Sequence, residues 1–283
     1  MIEIDAGKCN ACGLCVRICH EHCLQLADDT LLIDRATCST CTQCIAVCPV
    51  KAITWAGVPP EPFNREAYPS PAQVMELFME RRTTRDYRAR KIDRQLLQEI
   101  GGAAVYAPTH SHDLRIIIVD DEEILSLVDR LLYSHAARLY RWLFRPRAMQ
   151  WIVRVTSPVY RGEFARARPK LEAAIKRKKG FKSRPAAMIL LAGNRKVPLS
   201  LESAQYGLYN MDLYAQSRGI ACRNLVGNQG MLNRVRSFRR AIGLERRERI
   251  FGVLTLGYPA VRFSNKVLGR SLPLQWNGEP ARS

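Results

Sequence analysis

The chain has 283 residues, ten cysteines and a formal net charge of +18. That length accommodates a small module plus one domain with a full core, and nine of the cysteines fall between Cys9 and Cys48, which favours metal or cluster ligation over a disulfide framework. The start, MIEIDAGKC, has neither a charged n-region nor an apolar h-region, and no apolar run approaches the about 18–20 residues that cross a bilayer, so a soluble, cytoplasmic protein is expected.

The first elements are a duplicated cysteine run. Ile4-Asp5 with Cys9, Cys12, Cys15 and Cys19 recurs 29 residues later as Ile33-Asp34 with Cys38, Cys41, Cys44 and Cys48. Each half is followed by a short strand-like stretch, CLQLA and AITWA. Structural zinc sites use similar CxxC pairs, but two complete four-cysteine runs at a constant offset favour iron–sulfur clusters. The repeat resembles the two-fold duplicated bacterial dicluster ferredoxin, in which the fourth cysteine of each run reaches across to the other cubane. That resemblance implies two [4Fe–4S] clusters, one on Cys9, Cys12, Cys15 and Cys48, the other on Cys38, Cys41, Cys44 and Cys19. The second run ends Cys48-Pro49 as the family pattern has it, whereas the first ends Cys19-His20. Cys23 aligns with Ala52 and is read as a small buried side chain.

Residues 1–60 hold four basic and six acidic side chains, so the remainder carries the basic excess, densest between Arg130 and Arg184 with sixteen Lys or Arg against Glu163 and Glu172. Such a field favours an anionic substrate, an acidic donor protein, nucleic acid or an anionic membrane face. VPPEPFNREAYPSP at 58–71 has five prolines and reads as an exposed connection. Ser70-Pro71 starts a helix through about Arg81, and Asp93 caps another to about Ala104. Stretches 114–120, 186–193 and 249–257 read as buried strands. Between them, Ile124, Val128, Leu131, His135, Leu139 and Trp142 share a helical face, and 201–219 continues as a second amphipathic helix.

No GxGxxG follows a strand, so a Rossmann nicotinamide site has no support. Four patterns resemble the nitroreductase family of FMN flavoproteins across about residues 72–273. Arg81-Arg82-Thr83-Thr84-Arg85 is similar to the RRSxR element, which implies that Arg81, Arg82, Thr83 and Arg85 grip the FMN phosphate and ribityl chain. AAVYAPTHSHD at 103–113 is similar to the turn in which Pro108 and Thr109 approach the flavin; His112 stands where the family usually has Asn. His112 is read as a flavin contact, a proton source for substrate, or a surface-loop histidine. SRGIACRNLVGNQG at 217–230 is similar to the family's small-residue LG segment, which implies that Val226 and Gly227 run past the flavin N5 edge; Cys222 is read as a packed residue rather than a nucleophile. LTLGYPA at 254–260 matches the final strand, and Arg270, with Lys266 as substitute, follows where a basic residue reaches the phosphate.

The reading is therefore α+β. A ferredoxin-like dicluster module covers 1–60, a Pro-rich linker 61–71, and a nitroreductase-like domain 72–283, with a central mixed sheet flanked by helices and a lid at about 130–184. The resemblance implies a homodimer with FMN at the subunit interface. Cubanes pass single electrons and FMN collects two. The expected activity is reduction of an electrophilic organic acceptor, a nitroaromatic, quinone or activated alkene, with reduced ferredoxin or flavodoxin as donor. A non-catalytic redox sensor or electron-transfer adaptor would use the same cofactors. Residues 130–184 are read as helices packed against the core with their arginines facing solvent, as a cationic lid that selects anionic substrates, or as a membrane-surface contact through LYRWLFRPRAMQWIVRV; no recognition motif supports a nucleic-acid binder.

Overall fold

The computed structural model describes residues 2–108, 113–155, 158–269 and 271–278. The cysteine repeat folds as a repeat. Its elements are β1 (Ile2–Ile4), α1 (Leu14–Ile18), β2 (Leu24–Ala27), β3 (Thr30–Ile33), α2 (Gln43–Val47) and β4 (Ile53–Trp55). β1 pairs antiparallel with β4, and β2 with β3. Ile2, Leu24, Leu31, Ile45 and Ile53 pack with Cys15, Cys23 and Cys44 into one small core.

The 29-residue offset extends to the backbone itself. Left-handed φ values occur at Ala11 and Thr40 (51° and 56°), at Gly13 and Thr42 (72° and 63°), and at His22 and Lys51 (50° and 54°). Non-glycine residues adopt this conformation at a cost, so its recurrence in both halves marks a loop shape that its surroundings dictate. Cys19 and Cys48 are likewise equivalent, with φ/ψ of −72°/104° and −69°/111°. Pro49 requires that extended conformation of the residue before it; Cys19 adopts it without a proline, so His20 in place of Pro leaves the turn unchanged.

After a bridge from Val58 back to Trp55, the 59–70 stretch has a 3-10 turn at Arg65–Ala67 and no strand or α-helix. α3 (Pro71–Glu80) then starts on a complete capping box, Ser70 Oγ accepting from Gln73 N while the Gln73 side chain accepts from Ser70 N. Asp93 caps α4 (Arg94–Gly102) by accepting from Gln95 N and Leu96 N. A 3-10 turn (Ala103–Tyr106) follows, then β5 (Arg115–Val119), α5 (Glu122–Leu143), α6 (Arg147–Val155), α7 (Pro158–Arg177) and β6 (Ala187–Asn194). The chain continues through α8 (Ser200–Ser217), β7 (Ala221–Asn224), α9 (Val226–Arg234), α10 (Arg236–Ala241) and β8 (Glu248–Gly257).

The four strands form one sheet in the order β5-β6-β8-β7. Ile189 and Leu191 of β6 face α4 and α8, where Leu97, Ile100, Leu208 and Met211 cover them. Met188 and Leu190 face the other way, under Leu125, Val128, Leu232 and Phe238. Successive side chains alternate faces and both faces are covered, which is why β6 is a continuous apolar run. Every pairing in this sheet among the described residues is antiparallel, so the parallel member that a mixed sheet implies is not in the described part of one chain.

α5 departs from the expected face. Leu125, Val128 and Leu132 are its buried residues, and Trp142 is 70% exposed. The helix packs on the sheet only through its first turns and then runs past it, so its last two turns belong to the 130–184 region, which is a helical arm made of the end of α5, α6 and α7.

Candidate functional site

Two cavities lie in the N-terminal unit. One is ringed by Cys9, Cys12, Cys15 and Cys48, and the other by Cys19, Cys38, Cys41 and Cys44. Among the described residues no three Cys, His, Asp or Glu side chains converge closely enough for a single metal ion. Four thiols around a hollow suit a compact inorganic core with several metal atoms better than one zinc ion. The left-handed residues at 11, 13, 40 and 42 turn the loops so that the cysteines point inward, and Ala52 N donates to Cys48 Sγ at 3.3 Å. Burial pushes the Cys44 thiol up to about 11; coordination is what would reverse this, since a ligand cysteine must be deprotonated. Cys23 is buried as expected, with its Sγ 3.4 Å from Cys19 Sγ, and burial followed by the Cys19 contact pushes it up to about 12.

The second site is an open cavity of about 460 Å³ in the larger unit, within the range of small-molecule sites. Its polar wall includes Arg82, Arg88 and Arg262, and its apolar wall includes Ile220, Tyr258 and Phe263. The run 81–88 is fixed there by hydrogen bonds on both sides. Thr84 N donates to Cys222 O at 3.0 Å on β7, and Arg88 N donates to Tyr258 O at 2.8 Å just beyond β8. Between them Tyr87 Oη donates to Thr84 O at 2.9 Å and lies 3.1 Å from Thr255 Oγ1, which in turn donates to Arg223 O at 3.1 Å. Gly257 permits this packing, because a Cβ there would stand 2.6 Å from the Tyr87 ring.

The arginines of the run have different tasks. Arg81 Nη1 lies 3.4 Å from Asp212 Oδ2 on α8. Burial nevertheless outweighs Arg81 and holds the Asp212 carboxyl above its usual range. Arg82 Nη1 donates to Met79 O and Arg81 O, satisfying carbonyls at the end of α3. Arg85 is exposed, with Nη1 3.4 Å from Thr83 O. Beside it is Arg223 of β7, half-buried and without a carboxylate partner among the described residues; burial, then the Arg85 charge, disfavour its positive form. A desolvated guanidinium next to a second one is a poor arrangement unless an anion joins them.

Of the flavin-site residues expected from sequence, Arg82 alone among the described residues lines the cavity; Arg81, Thr83 and Arg85 belong to the same run, held against β7 and the end of β8, but are not part of its lining. Val226 and Gly227 begin α9, directly after β7, and a Cβ on Gly227 would meet open space. Pro108 is exposed and, like Val226 and Gly227, does not line the cavity. Thr109, His112 and Arg270 lie outside the described residues. Lys266 is paired with Glu76 of α3. Cys222 is buried, and its thiol is kept protonated by burial and by Asp212, as a packed residue would be. Arg223 and Asp212 were not singled out from the sequence. Arg223 sits in SRGIACRNLVG, and a charged residue directly after the apolar run Ile220-Ala221-Cys222 was the available signal.

Comparison with known proteins identifies the family of the larger unit. Residues 78–258 match the Nitroreductase family, which is more than half of the chain. The chain belongs to the nitroreductase family. Residues 8–53 match the 4Fe-4S dicluster domain. Among solved structures, a nitroreductase with bound FMN from Bacteroides fragilis is 17% identical and aligns over 72% of this chain and 99% of its own, with a TM-score of 0.50. One from Desulfitobacterium hafniense, also with bound FMN, is 17% identical over 69% of this chain and 93% of its own, with a TM-score of 0.51. An iodotyrosine deiodinase bound to FMN and 3-iodo-L-tyrosine is 18% identical over 72% of this chain and 98% of its own, with a TM-score of 0.52. At these identities the likeness is one of fold. No curated protein matches the chain in sequence.

Proposed function

We propose that this nitroreductase-family member is an FMN-dependent oxidoreductase whose flavin is supplied with electrons through two N-terminal [4Fe–4S] clusters. The observation that carries the reading is the separation of eight cysteines into two rings of four, in the same chain as an arginine-walled cavity. When bound, the clusters pass single electrons and FMN collects two and delivers them as a hydride. Cys9, Cys12, Cys15 and Cys48 hold one cluster; Cys19, Cys38, Cys41 and Cys44 hold the other. Arg85 and Arg223, next in the chain to the cavity-lining Thr84 and Cys222 but not themselves in the lining, hold the phosphate at its margin, with Thr83 and the free side of Arg82 toward the ribityl chain. Arg81 is a positioning residue that anchors the run through Asp212. Tyr87, locked between Thr84 and Thr255, fixes the backbone from which these side chains extend. Ile220, Tyr258 and Phe263 provide a wall that excludes water from one side of a planar ring.

The open cavity favours an electrophilic organic acceptor of modest size: a nitroaromatic, a quinone or an activated alkene. The surplus of 18 positive charges favours an acidic, low-potential protein donor such as a reduced ferredoxin or flavodoxin. Pro108 is exposed and does not line the cavity; in a homodimer with an interfacial flavin, as the family has, a second copy of the chain would be the source of that contact. The test is anaerobic purification with absorption spectra and iron, sulfide and flavin counts, followed by turnover of each acceptor class with a low-potential donor. Iron-free protein, or protein with clusters and no flavin, would overturn the reading. Stoichiometric oxidation without turnover on any acceptor would instead support an electron-transfer adaptor.

A further inference from the structure

From Arg130 to Gly162 the chain has seven arginines and no acidic residue. The structure divides this stretch into an inner and an outer side. On the inner side, Phe144 is buried between Tyr140 and Phe164, with ring centroids at 5.6 and 4.3 Å. On the outer side, Ala148, Trp151, Ile152 and Val155 follow one another at 3- and 4-residue steps along α6, and all are exposed. Trp151 is 65% exposed, Val155 64%, and Trp142 at the end of α5 70%. Since the inner side is already filled by aromatic rings, this outer stripe is not core left loosely packed. Arg141, Arg145 and Arg147 are exposed around it and have no carboxylate partner among the described residues. The next acids in the chain, Glu163 and Glu172, are already paired with Arg166 and Arg168.

We propose that the end of α5 and α6 form a docking surface for an anionic phospholipid bilayer. Trp142, Trp151, Ile152 and Val155 enter the boundary between headgroups and acyl chains, and Arg141, Arg145 and Arg147 meet the lipid phosphates. An amphipathic helix with tryptophan and aliphatic residues on one face and arginines at its flanks lies in the plane of such an interface. Each cation near an anionic leaflet adds attraction, and the aromatic rings suit its partly wet depth. Two other occupants match less of the surface. A nucleic acid would satisfy the arginines but leave Ile152 and Val155 in water. A second copy of this face would bring two arginine-bearing surfaces together with no carboxylate from 130–162 on either to offset them. No helix among the described residues is long and apolar enough to span the bilayer, so the contact is peripheral.

The test is flotation of the full-length holoprotein with vesicles of phosphatidylcholine alone and of phosphatidylcholine mixed with phosphatidylglycerol. The expected result is flotation with the mixed vesicles only, with a blue shift of tryptophan emission that high salt reverses. The variant Trp151→Ser/Ile152→Ser/Val155→Ser should bind at least tenfold more weakly. It should fold normally, since none of the three side chains is buried, and circular dichroism and the flavin spectrum check this. Phe63→Ser, which removes an exposed ring from the 58–70 stretch, is the control and should bind like the unaltered chain. Absence from the mixed vesicles, equal binding to neutral vesicles, or unchanged binding of the triple variant would each overturn the proposal. So would a dimer that only the triple variant dissociates, since a second copy would then be what covers the face.

Discussion

Arg81 and Asp212 form an ion pair, 3.4 Å apart, in which both side chains have lost most of their solvent. The first arginine of a run of three is thereby tied to the middle of α8, and its neighbours are left to meet a ligand. Arg81→Gln is expected to act mainly on stability. It leaves the Asp212 carboxylate without its cation, at a cost of about 1–3 kcal/mol, less than for a fully enclosed pair because some solvent reaches both groups. Denaturant unfolding with flavin absent measures this directly.

Arg85→Ala and Arg223→Ala are expected to do the opposite. Each removes a charge-assisted contact to the flavin phosphate, and a loss of roughly 1.5–3 kcal/mol corresponds to about 10- to 100-fold weaker FMN binding. Stability without flavin should hold or rise, because removing either one relieves the repulsion between the two. Arg177→Ala, an exposed charge of α7, is the control. Quenching of FMN fluorescence on titration with flavin-free protein is the measurement. Equal small losses in all three variants would mean that only the general positive field attracts FMN.

The contrast between these residues shows what the sequence conveyed. Ser70 and Asp93 were legible as caps because capping is settled within four residues. The cysteine repeat was legible because cluster ligands need fixed local spacing. The buried face of α5 was shifted by one residue, since Trp142 and His135 continue the apolar period beyond the point where the sheet ends. β7 was missed because ACRN is four residues long and shows no alternation. Without β7 nothing indicated that Arg223 would come to lie next to Arg85, which is 138 positions earlier. The Arg81–Asp212 pair is equally non-local, separated by 131 residues.

Gly257 gives a test of the scaffold behind the site. A methyl group there would press on the Tyr87 ring at 2.6 Å. The ring is held at its hydroxyl end by Thr84 O, so it cannot swing away without moving the 81–88 run. Gly257→Ala is expected to cost about 1–3 kcal/mol of stability, the range for overpacking a filled core. It should also weaken FMN, because the displaced 81–88 run carries Arg82 and Arg85. Equal FMN affinity in Gly257→Ala and the unaltered protein would separate Tyr87 from the placement of the arginines.

Arg115 and Glu248 supply a pH dependence. The guanidinium makes a forked contact, Nε to Oε1 at 2.6 Å and Nη2 to Oε2 at 2.8 Å. Its hydrogen bond is the main reason that the Glu248 carboxyl is held below the usual range, against the opposing effect of burial. A folded-state value below the unfolded one means that the contribution is present above an unfolded pKa of about 4.3 and is lost as pH falls through the folded value. After allowance for solvent on Arg115 it amounts to about 1 kcal/mol. Arg115→Gln should therefore lower the melting temperature near neutral pH and lose that deficit in acid, where Glu248 is protonated in both proteins. A deficit that stays constant down to about pH 2 would assign the effect of Arg115 to its other contact, Gly243 O, instead.

Cys41→Ser separates the two redox units. Cys41 belongs to the ring with Cys19, Cys38 and Cys44, and no residue proposed to hold FMN lies before residue 80. The variant should lose about four of about eight irons per chain, or keep a damaged cluster with altered electron paramagnetic resonance. Reduction of acceptors by a low-potential protein donor should fall steeply. FMN content should be unchanged, and flavin reduced chemically with dithionite should still be oxidised by acceptor at the original rate. The Cys9 ring should survive, because its fourth member is Cys48 and not Cys19, so the remaining iron should titrate as a single cluster. Loss of both clusters would show that the two rings fold only together, which their shared core of Ile2, Leu24, Ile45 and Ile53 makes the outcome to watch for in a single-site variant. Loss of flavin from folded protein would show instead that the cluster module contributes to the FMN site, and the boundary near residue 60 would have to move.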